Sequence, residues 1–524
     1  MADSSYSVSV ASSPARGKQA SRIAVTLLLT FAAGMSIVWL YALIVGDERA
    51  TSTFAYGAIS CGALAASARV LLHGRFATGM ERGGLLLILL FYILGPAVAA
   101  IPILNLKGVD SFSAAYFEMA SALTTTGATI FWNVDLVPDA VILWRSMLAG
   151  FGGLVCLVSA LAILAPLSIG GFEVDHMIDR RAQTMNYEFL CASEGARTKD
   201  LEARIVWAFR IVAVPYLVFI CFCTFALAAN GVTIFEAVCL ALGSVSTTGF
   251  APQSEGVAVY RSLFVEMVLV ATMIPAAIGI SAHVRSLRFG AKSYLYDSEL
   301  RYLAIIVSGL VILLFFRHWI GAIETQSTDE IGAALEALWG SFFMAVSFAT
   351  TTGFESAAWD GATEWSGLKT PGVALIGLAI VGGGAASTAG GVKLIRAALL
   401  AKHSMGELRR LARPSSVQPI SSGGRSVTFD ALRIVWVFVM LYAITLGVCA
   451  LGLTATGFKF VDAFAGSIAA ISNTGPLLPL ISGEEGAYTS LDPVARFILC
   501  GAMIVGRMET LAVVALFSVS AWRG

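Results

Sequence analysis

Ten apolar runs recur along the chain, at about 23–46, 53–73, 84–104, 140–167, 203–229, 261–284, 301–321, 370–400, 427–454 and 493–520. A helix of about 20 apolar residues crosses the hydrocarbon core of a bilayer. A sequence with ten such runs is therefore read as an all-α, polytopic membrane protein. The first run is too long for the core of a signal peptide and no convincing cleavage site follows it, so it is read as a retained span. Only 13% of the 524 residues are charged and 57% are hydrophobic, against roughly 25% charged in soluble chains. Soluble multidomain, disordered and secreted disulfide-scaffold readings are thereby excluded. The formal net charge of +0 gives no general attraction to nucleic acid.

Eight cysteines and five histidines carry no metal pattern. Cys221 and Cys223 flank one phenylalanine, with no second pair and no nearby histidine, so they are read as small core residues. No H-E-x-x-H or comparable zinc spacing occurs.

The connections between runs fall into two kinds. Those at 74–83, 168–202, 285–300 and 401–426 are basic or mixed. Those at 105–139, 230–260, 322–369 and 455–492 are long, acidic and rich in Gly, Ser and Thr. Lysine and arginine bias sets orientation. Arg16, Lys18 and Arg22, with Lys393, Arg396, Lys402, Arg409, Arg410, Arg413 and Arg425, place the polar N-terminal tail and the first kind of connection in the cytoplasm. The second kind, with few basic residues (Lys107, Lys369, Lys459), faces outside. Its acids, among them Asp110, Glu324, Asp329, Glu484 and Glu485, make that surface negative and concentrate cations there.

Each outer connection also holds a semi-apolar stretch of about 10–14 residues, too short to span, followed by a polar element ending in glycine. These are Thr124-Thr125-Thr126-Gly127, Ser246-Thr247-Thr248-Gly249, Thr350-Thr351-Thr352-Gly353 and Ser472-Asn473-Thr474-Gly475, the last followed by Pro476. Their glycines lie 122, 104 and 122 residues apart. One Thr-Thr-Gly means little, but four at this spacing in matching hairpins indicate internal repetition. The physical reading is a short half-helix that enters the membrane from outside, stops, and returns as extended backbone. Such backbone is tolerated at depth only where it lines a wet path or is buried in protein. Four loops about one axis give rings of carbonyl oxygens able to replace a cation's hydration shell. Helix C-termini aimed at that axis favour a positive ion. A secondary transporter with polar re-entrant loops is the competing reading.

The segment Ser121–Ile130 (SALTTTGATI) resembles the first selectivity filter of the TrkH/KtrB-type potassium transporter family. Gly382–Arg396 (GGGAASTAGGVKLIR) resembles the interrupted second helix of that family's third repeat, and Gly506–Glu509 its last helix, which carries a pore-facing arginine. Two helices ahead of the repeats fit the TrkH branch most closely. The resemblance covers nearly the whole chain beyond the tail. It implies four pseudosymmetric repeats around one channel-like pore, potassium as the transported ion, a homodimer, and a separate cytoplasmic nucleotide-binding ring of the TrkA kind. No GxGxxG region is present to supply that ring within this chain. The implied layout is a tail at 1–22, two additional helices within 23–80, and repeats at 81–200, 201–298, 299–425 and 426–524. Ion-contacting positions are expected at Thr125, Thr126, Thr247, Thr248, Thr351, Thr352, Asn473 and Thr474. The fourth element departs from the pattern, and Pro476 fixes a backbone angle there.

Gly382, Gly383, Gly384, Ser387, Thr388, Gly390 and Gly391 crowd into one apolar run, enough to break a helix. They are not a phosphate loop. They are read either as close helix packing or as a flexible intramembrane gate beneath the filter. Arg507, placed about midway along the last run, is read either as a static partner of Glu509 or as a positive barrier in the pore. Glu118, Glu236, Glu336 and Asp462 are read as cation attractors or as helix N-terminal charges. Arg285, Arg288 and the basic residues at 402–413 are read as topology and lipid-headgroup contacts, or as a docking surface for a cytoplasmic partner. The functional expectation is potassium uptake across a bacterial inner membrane, without enzymatic chemistry. A proton- or sodium-coupled symporter is the alternative, with Glu509 its main carboxylate. A sensor is disfavoured for want of an output domain.

Overall fold

In this computed structural model the described residues are 14–71, 80–104, 106, 109, 111–167, 201–290, 292–295, 297–321, 330–367, 372–413, 421–422, 425–426, 429–483, 486–510 and 512–513. Expectations about residues 1–13, most of the connections 74–83 and 168–202, and Lys107, Asp110, Glu324, Asp329, Lys369, Glu484 and Glu485 lie outside them.

Among the described residues eight helices are long and apolar enough to cross a membrane: Pro14–Val45, Glu48–Leu71, Met80–Ala100, Asp139–Ser159, Leu201–Ala229, Ser298–Gly321, Glu330–Ala349 and Phe429–Ala455. The fourth continues through one π-helical turn at Ala160–Leu164. The first begins at Pro14, so Arg16, Lys18 and Arg22 belong to a helix rather than to a tail ending at residue 22. Polar residues can extend a helix beyond the apolar slab, and hydropathy alone does not see them. Among the described residues the fold is helical except for one two-stranded ladder, in which Ser421–Ser422 pairs with Arg425–Ser426.

Three of the ten apolar runs are not single helices. The run at 261–284 divides into Leu263–Ala277 and Ile280–Phe289. Pro275 lies in the last turn of the first piece and Ile278 is extended, at φ −90° and ψ 144°. The run at 370–400 divides into Gly372–Val381 and Leu394–Ala412, separated by the glycine-rich segment. The run at 493–520 is interrupted after the helix Pro493–Met508, where Glu509 turns to φ 65°. Each unit is thus a long helix, a shorter one that ends in a buried loop, and a second helix that is continuous only in unit one.

The helices that run into the four polar elements are Phe112–Leu123, Ile234–Val245 and Phe460–Ile471, of 12 residues each, and Glu330–Ala349, whose 20 residues exceed the expected 10–14 and are long and apolar enough to cross a membrane. Two have side-chain N-caps. The Ser111 hydroxyl accepts from Ala114 N at 3.3 Å, and Thr233 and Glu236 form a reciprocal capping box. The pair of helices at the N-terminus packs on unit one. Phe31 and Phe91 stack at 6.2 Å, Phe54 meets Trp144 edge-on at 6.1 Å, and Trp144 Nε1 donates to Ala99 O at 3.0 Å.

Candidate functional site: a closed ring of four loops

The four polar elements adopt one shared turn. Thr125, Thr247, Thr351 and Asn473 all have left-handed backbone, with φ of 52°, 54°, 57° and 52°. The next residue in each, Thr126, Thr248, Thr352 or Thr474, donates its N–H to the carbonyl five residues back, at 2.8, 2.8, 2.9 and 2.8 Å. The left-handed residue itself donates to the carbonyl three back. This double bond pattern is a Schellman helix stop, a position usually held by glycine. A threonine there is a true steric outlier, and such strain persists only where surrounding structure enforces it. The enforcing contacts are visible. Thr124, Ser246 and Ser472 hydroxyls donate to the carbonyl four back at 2.6, 2.6 and 2.7 Å, and Thr350 to the one three back at 3.0 Å. Each also pairs with the hydroxyl two residues on, at 2.8, 2.6, 2.9 and 3.2 Å. All twelve of these polar residues are buried.

The loops then close on one another in order. A Cβ on Gly127 would fall 1.8 Å from Thr248 O, one on Gly249 2.0 Å from Thr352 O, one on Gly353 2.8 Å from Pro476 Cγ, and one on Gly475 2.1 Å from Ala128 N. Unit one touches two, two touches three, three touches four, and four touches one. Only glycine fits the first three, which also have φ of 80°, 75° and 85°.

The fourth element closes the ring differently. Gly475 lacks a positive φ. Its N–H donates to Thr126 O at 2.6 Å and its carbonyl accepts from the Tyr488 hydroxyl at 2.8 Å. Asn473 Nδ2 reaches Thr126 Oγ1 at 3.0 Å and Met503 O at 3.1 Å. Thr125 Oγ1 and Asn473 Oδ1 have no hydrogen-bond partner among the described residues.

Two buried carboxylates brace the returning strands, and sequence reasoning did not assign either this role. Glu118 is fully buried in mid-helix, which removes its reading as an N-terminal helix charge. Its carboxylate accepts from Ile130 N and Thr129 Oγ1, both at 3.0 Å, and from Arg145 at 3.3 Å. Arg145 continues to Ala251 O in unit two at 2.7 Å. Glu266 in unit two accepts from Ser356 Oγ and Ala357 N in unit three, each at 2.9 Å, and from Trp339 Nε1 at 2.5 Å. The sequence signal for Glu266 was a charge inside an apolar run, and for Glu118 a charge within the semi-apolar stretch ahead of the first polar element. Glu236 and Asp462 do lie in first helical turns. Glu336 is the seventh residue of its helix and packs beside Gly361.

The segment Gly382–Gly391 sits directly against the ring. Gly390 N donates to Thr351 Oγ1 at 2.8 Å, and a Cβ on Gly390 would fall 1.9 Å from Ser472 O. Thr388 Oγ1 donates to Ala276 O at 3.0 Å, with Val245 O at 3.3 Å. Ser387 Oγ closes a turn on Gly384 O at 2.7 Å. A Cβ on Gly382 would meet Gly390 O at 2.1 Å, and one on Gly383 would meet the Ala389 side chain at 2.4 Å. Arg507 NH1 donates to Thr388 O at 2.6 Å.

Arg507 departs from expectation twice. It lies at the end of a helix rather than midway along one. It does not pair with Glu509, whose carboxylate instead meets Arg396 at 2.7 Å. Side chains two apart on a helix do not face each other, and the break at Glu509 turns that carboxylate away. Nε and NH2 of Arg507 have no hydrogen-bond partner among the described residues.

Long apolar helices around a closed ring of buried loops define a multi-pass membrane transport protein rather than an enzyme. The comparisons give the particular family. The description "TrkH: Cation transport protein" matches residues 104–522, and the chain belongs to that family. It is 30% identical over 507 residues to the Trk system potassium uptake protein TrkH of Escherichia coli strain K12, covering 96% of this chain and 98% of that one. It is 31% identical to TrkH of Halomonas elongata over 84% of this chain and 86% of that one. The crystal structure of the potassium transporter TrkH from Vibrio parahaemolyticus superposes with a TM-score of 0.80 at 26% identity, covering 97% of this chain and 99% of the other.

Proposed function

We propose that this chain takes up potassium ions across a bacterial inner membrane through one pore on the axis of the ring. The observation that carries this reading is the ordered closure of four loops that share one backbone turn, each standing at the C-terminal end of a helix. Helix C-termini are partly negative and favour a cation between them. The backbone from Thr124 to Gly127, Ser246 to Gly249 and Thr350 to Gly353 supplies the filter, with Asn473 and Thr474 from unit four. The helices that end at the four loops are re-entrant in this reading, the 20-residue one of the third repeat included, and the units keep the boundaries 81–200, 201–298, 299–425 and 426–524. Potassium meets Thr125, Thr126, Thr247, Thr248, Thr351, Thr352, Asn473 and Thr474. Gly475 acts by packing, since its N–H and carbonyl are already engaged.

Gly382–Gly391 is the gate, pressed against the inner end of the filter, and Arg507 holds it while adding positive charge below the filter. The N-terminus lies in the cytoplasm. A homodimer and a TrkA-like nucleotide-binding ring on the cytoplasmic side belong to the same reading, since the relatives are named for the Trk system. The driving force is the membrane potential, about 2.3 kcal/mol per charge per 100 mV.

Purified protein in liposomes separates the pore from a symporter. The pore reading expects fast potassium flux that saturates weakly and moves no obligatory proton. Slow flux in fixed stoichiometry with protons or sodium would replace it with alternating access.

A further inference from the structure

We infer that Glu299 is a positioning residue for the gate, latching the glycine-rich segment of unit three to the broken helix of unit two. This rests on the gate reading above. Glu299 stands in the first turn of Ser298–Gly321, far in sequence from both partners. One carboxylate oxygen accepts from Ala385 N, inside the gate segment, at 2.8 Å. The other accepts from Gly279 N, at the break in unit two, at 3.1 Å. Hydrogen bonds to an ionised acceptor are roughly twice as strong as neutral ones.

The glycines on both breaks leave room for this one carboxylate. A Cβ on Gly384 would fall 2.2 Å from Glu299 Oε2, and one on Gly279 would meet Ala385 O of the gate segment at 2.4 Å and the same Oε2 at 3.0 Å. Two residues whose bareness looks like mere flexibility thus fit a single side chain.

Around this latch the two breaks are joined by backbone. Gly384 N donates to Ala277 O at 2.7 Å and Ile280 N to Ala386 O at 3.3 Å. The helix Ile280–Phe289 is tied to the same corner by Arg285, which pairs with Asp297. Asp297 in turn accepts from Glu299 N at 2.9 Å. A displacement of Ile280–Phe289 therefore reaches the gate through Glu299. In the proposed orientation that helix faces the cytoplasm, so the latch is where a cytoplasmic signal enters the pore.

The test is potassium efflux from liposomes holding the full chain, its Glu299→Gln variant, a variant lacking 385–388, and the two changes combined. Glutamine keeps the size but offers one acceptor where two are needed. The expected result is a basal flux about tenfold higher in Glu299→Gln, the scale of one charge-assisted hydrogen bond lost from the closed state. The potassium-to-sodium permeability ratio stays unchanged, and there is no further rise in the combined variant. If Glu299→Gln does not fold, Gly384→Ala displaces the same carboxylate from the other side and must give the same rise. Unchanged flux in a folded variant overturns the inference, as does a rise that adds to that of the deletion. No rise on deleting 385–388 overturns the gate reading and the inference with it.

Discussion

Thr351 accepts a 2.8 Å hydrogen bond from Gly390 N, so the third polar loop and the glycine-rich segment share a direct contact. The same threonine is held at φ 57°. Backbone strain in the loop and the position of the glycine-rich segment therefore meet at one residue.

Thr351→Val keeps the branched shape and removes the acceptor. A buried N–H without a partner costs about 1–3 kcal/mol, and the cost falls on the closed arrangement. Liposome flux should rise several-fold, with a melting temperature lowered by a few degrees. Flux equal to wild type would separate the two segments functionally.

Arg507→Ala removes the bond to Thr388 O and a buried positive charge. Potassium flux should increase, and Arg507→Lys should fall between the two, because a lysine keeps charge without the planar fork. A lower flux in well-folded Arg507→Ala protein would reject the barrier role.

Arg145 and Glu118 are respectively 1% and 0% exposed and pair at 3.3 Å. Arg145→Met leaves a buried carboxylate unpaired, which costs about 3–5 kcal/mol. The double variant Arg145→Met with Glu118→Gln should regain much of that stability in thermal melts, while discriminating potassium from sodium less well. If the two losses simply add, the pair is not coupled.

Thr247→Gly should make the protein more stable and the filter worse. A left-handed non-glycine residue carries about 1–2 kcal/mol of strain, which glycine removes together with the side chain that stiffens the loop. The expected pair of readings is a raised melting temperature and a reduced potassium preference. A variant that is destabilised would show the threonine to be relaxed where it stands.

The repeat was legible because polar Thr-Thr-Gly elements stand out within apolar hairpins, and their even spacing fixed the fourfold plan. The glycine-rich break at 382–391 was legible from composition. The break at 277–280 was not, since one proline and one glycine in an apolar run also suit a kinked helix. The partners of Glu118, Glu266 and Glu299 were hidden for a different reason. Glu266 and Glu299 act on backbone from a distant part of the chain and, standing near helix starts, look like ordinary terminal charges, while Glu118 turns onto the loop that follows its own helix. Arg507 was visible, but its neighbour Glu509 misled, because adjacency in sequence is not adjacency on a helix face.

In the proposed pore the ring strips water from potassium at its own centre. Crystals grown in rubidium chloride, with anomalous scattering recorded, test it most directly. Rubidium peaks are expected on the axis, level with the backbone of Thr125–Thr126, Thr247–Thr248, Thr351–Thr352 and Asn473–Thr474. Ordered rubidium bound away from that axis, with none between the four loops, would contradict it.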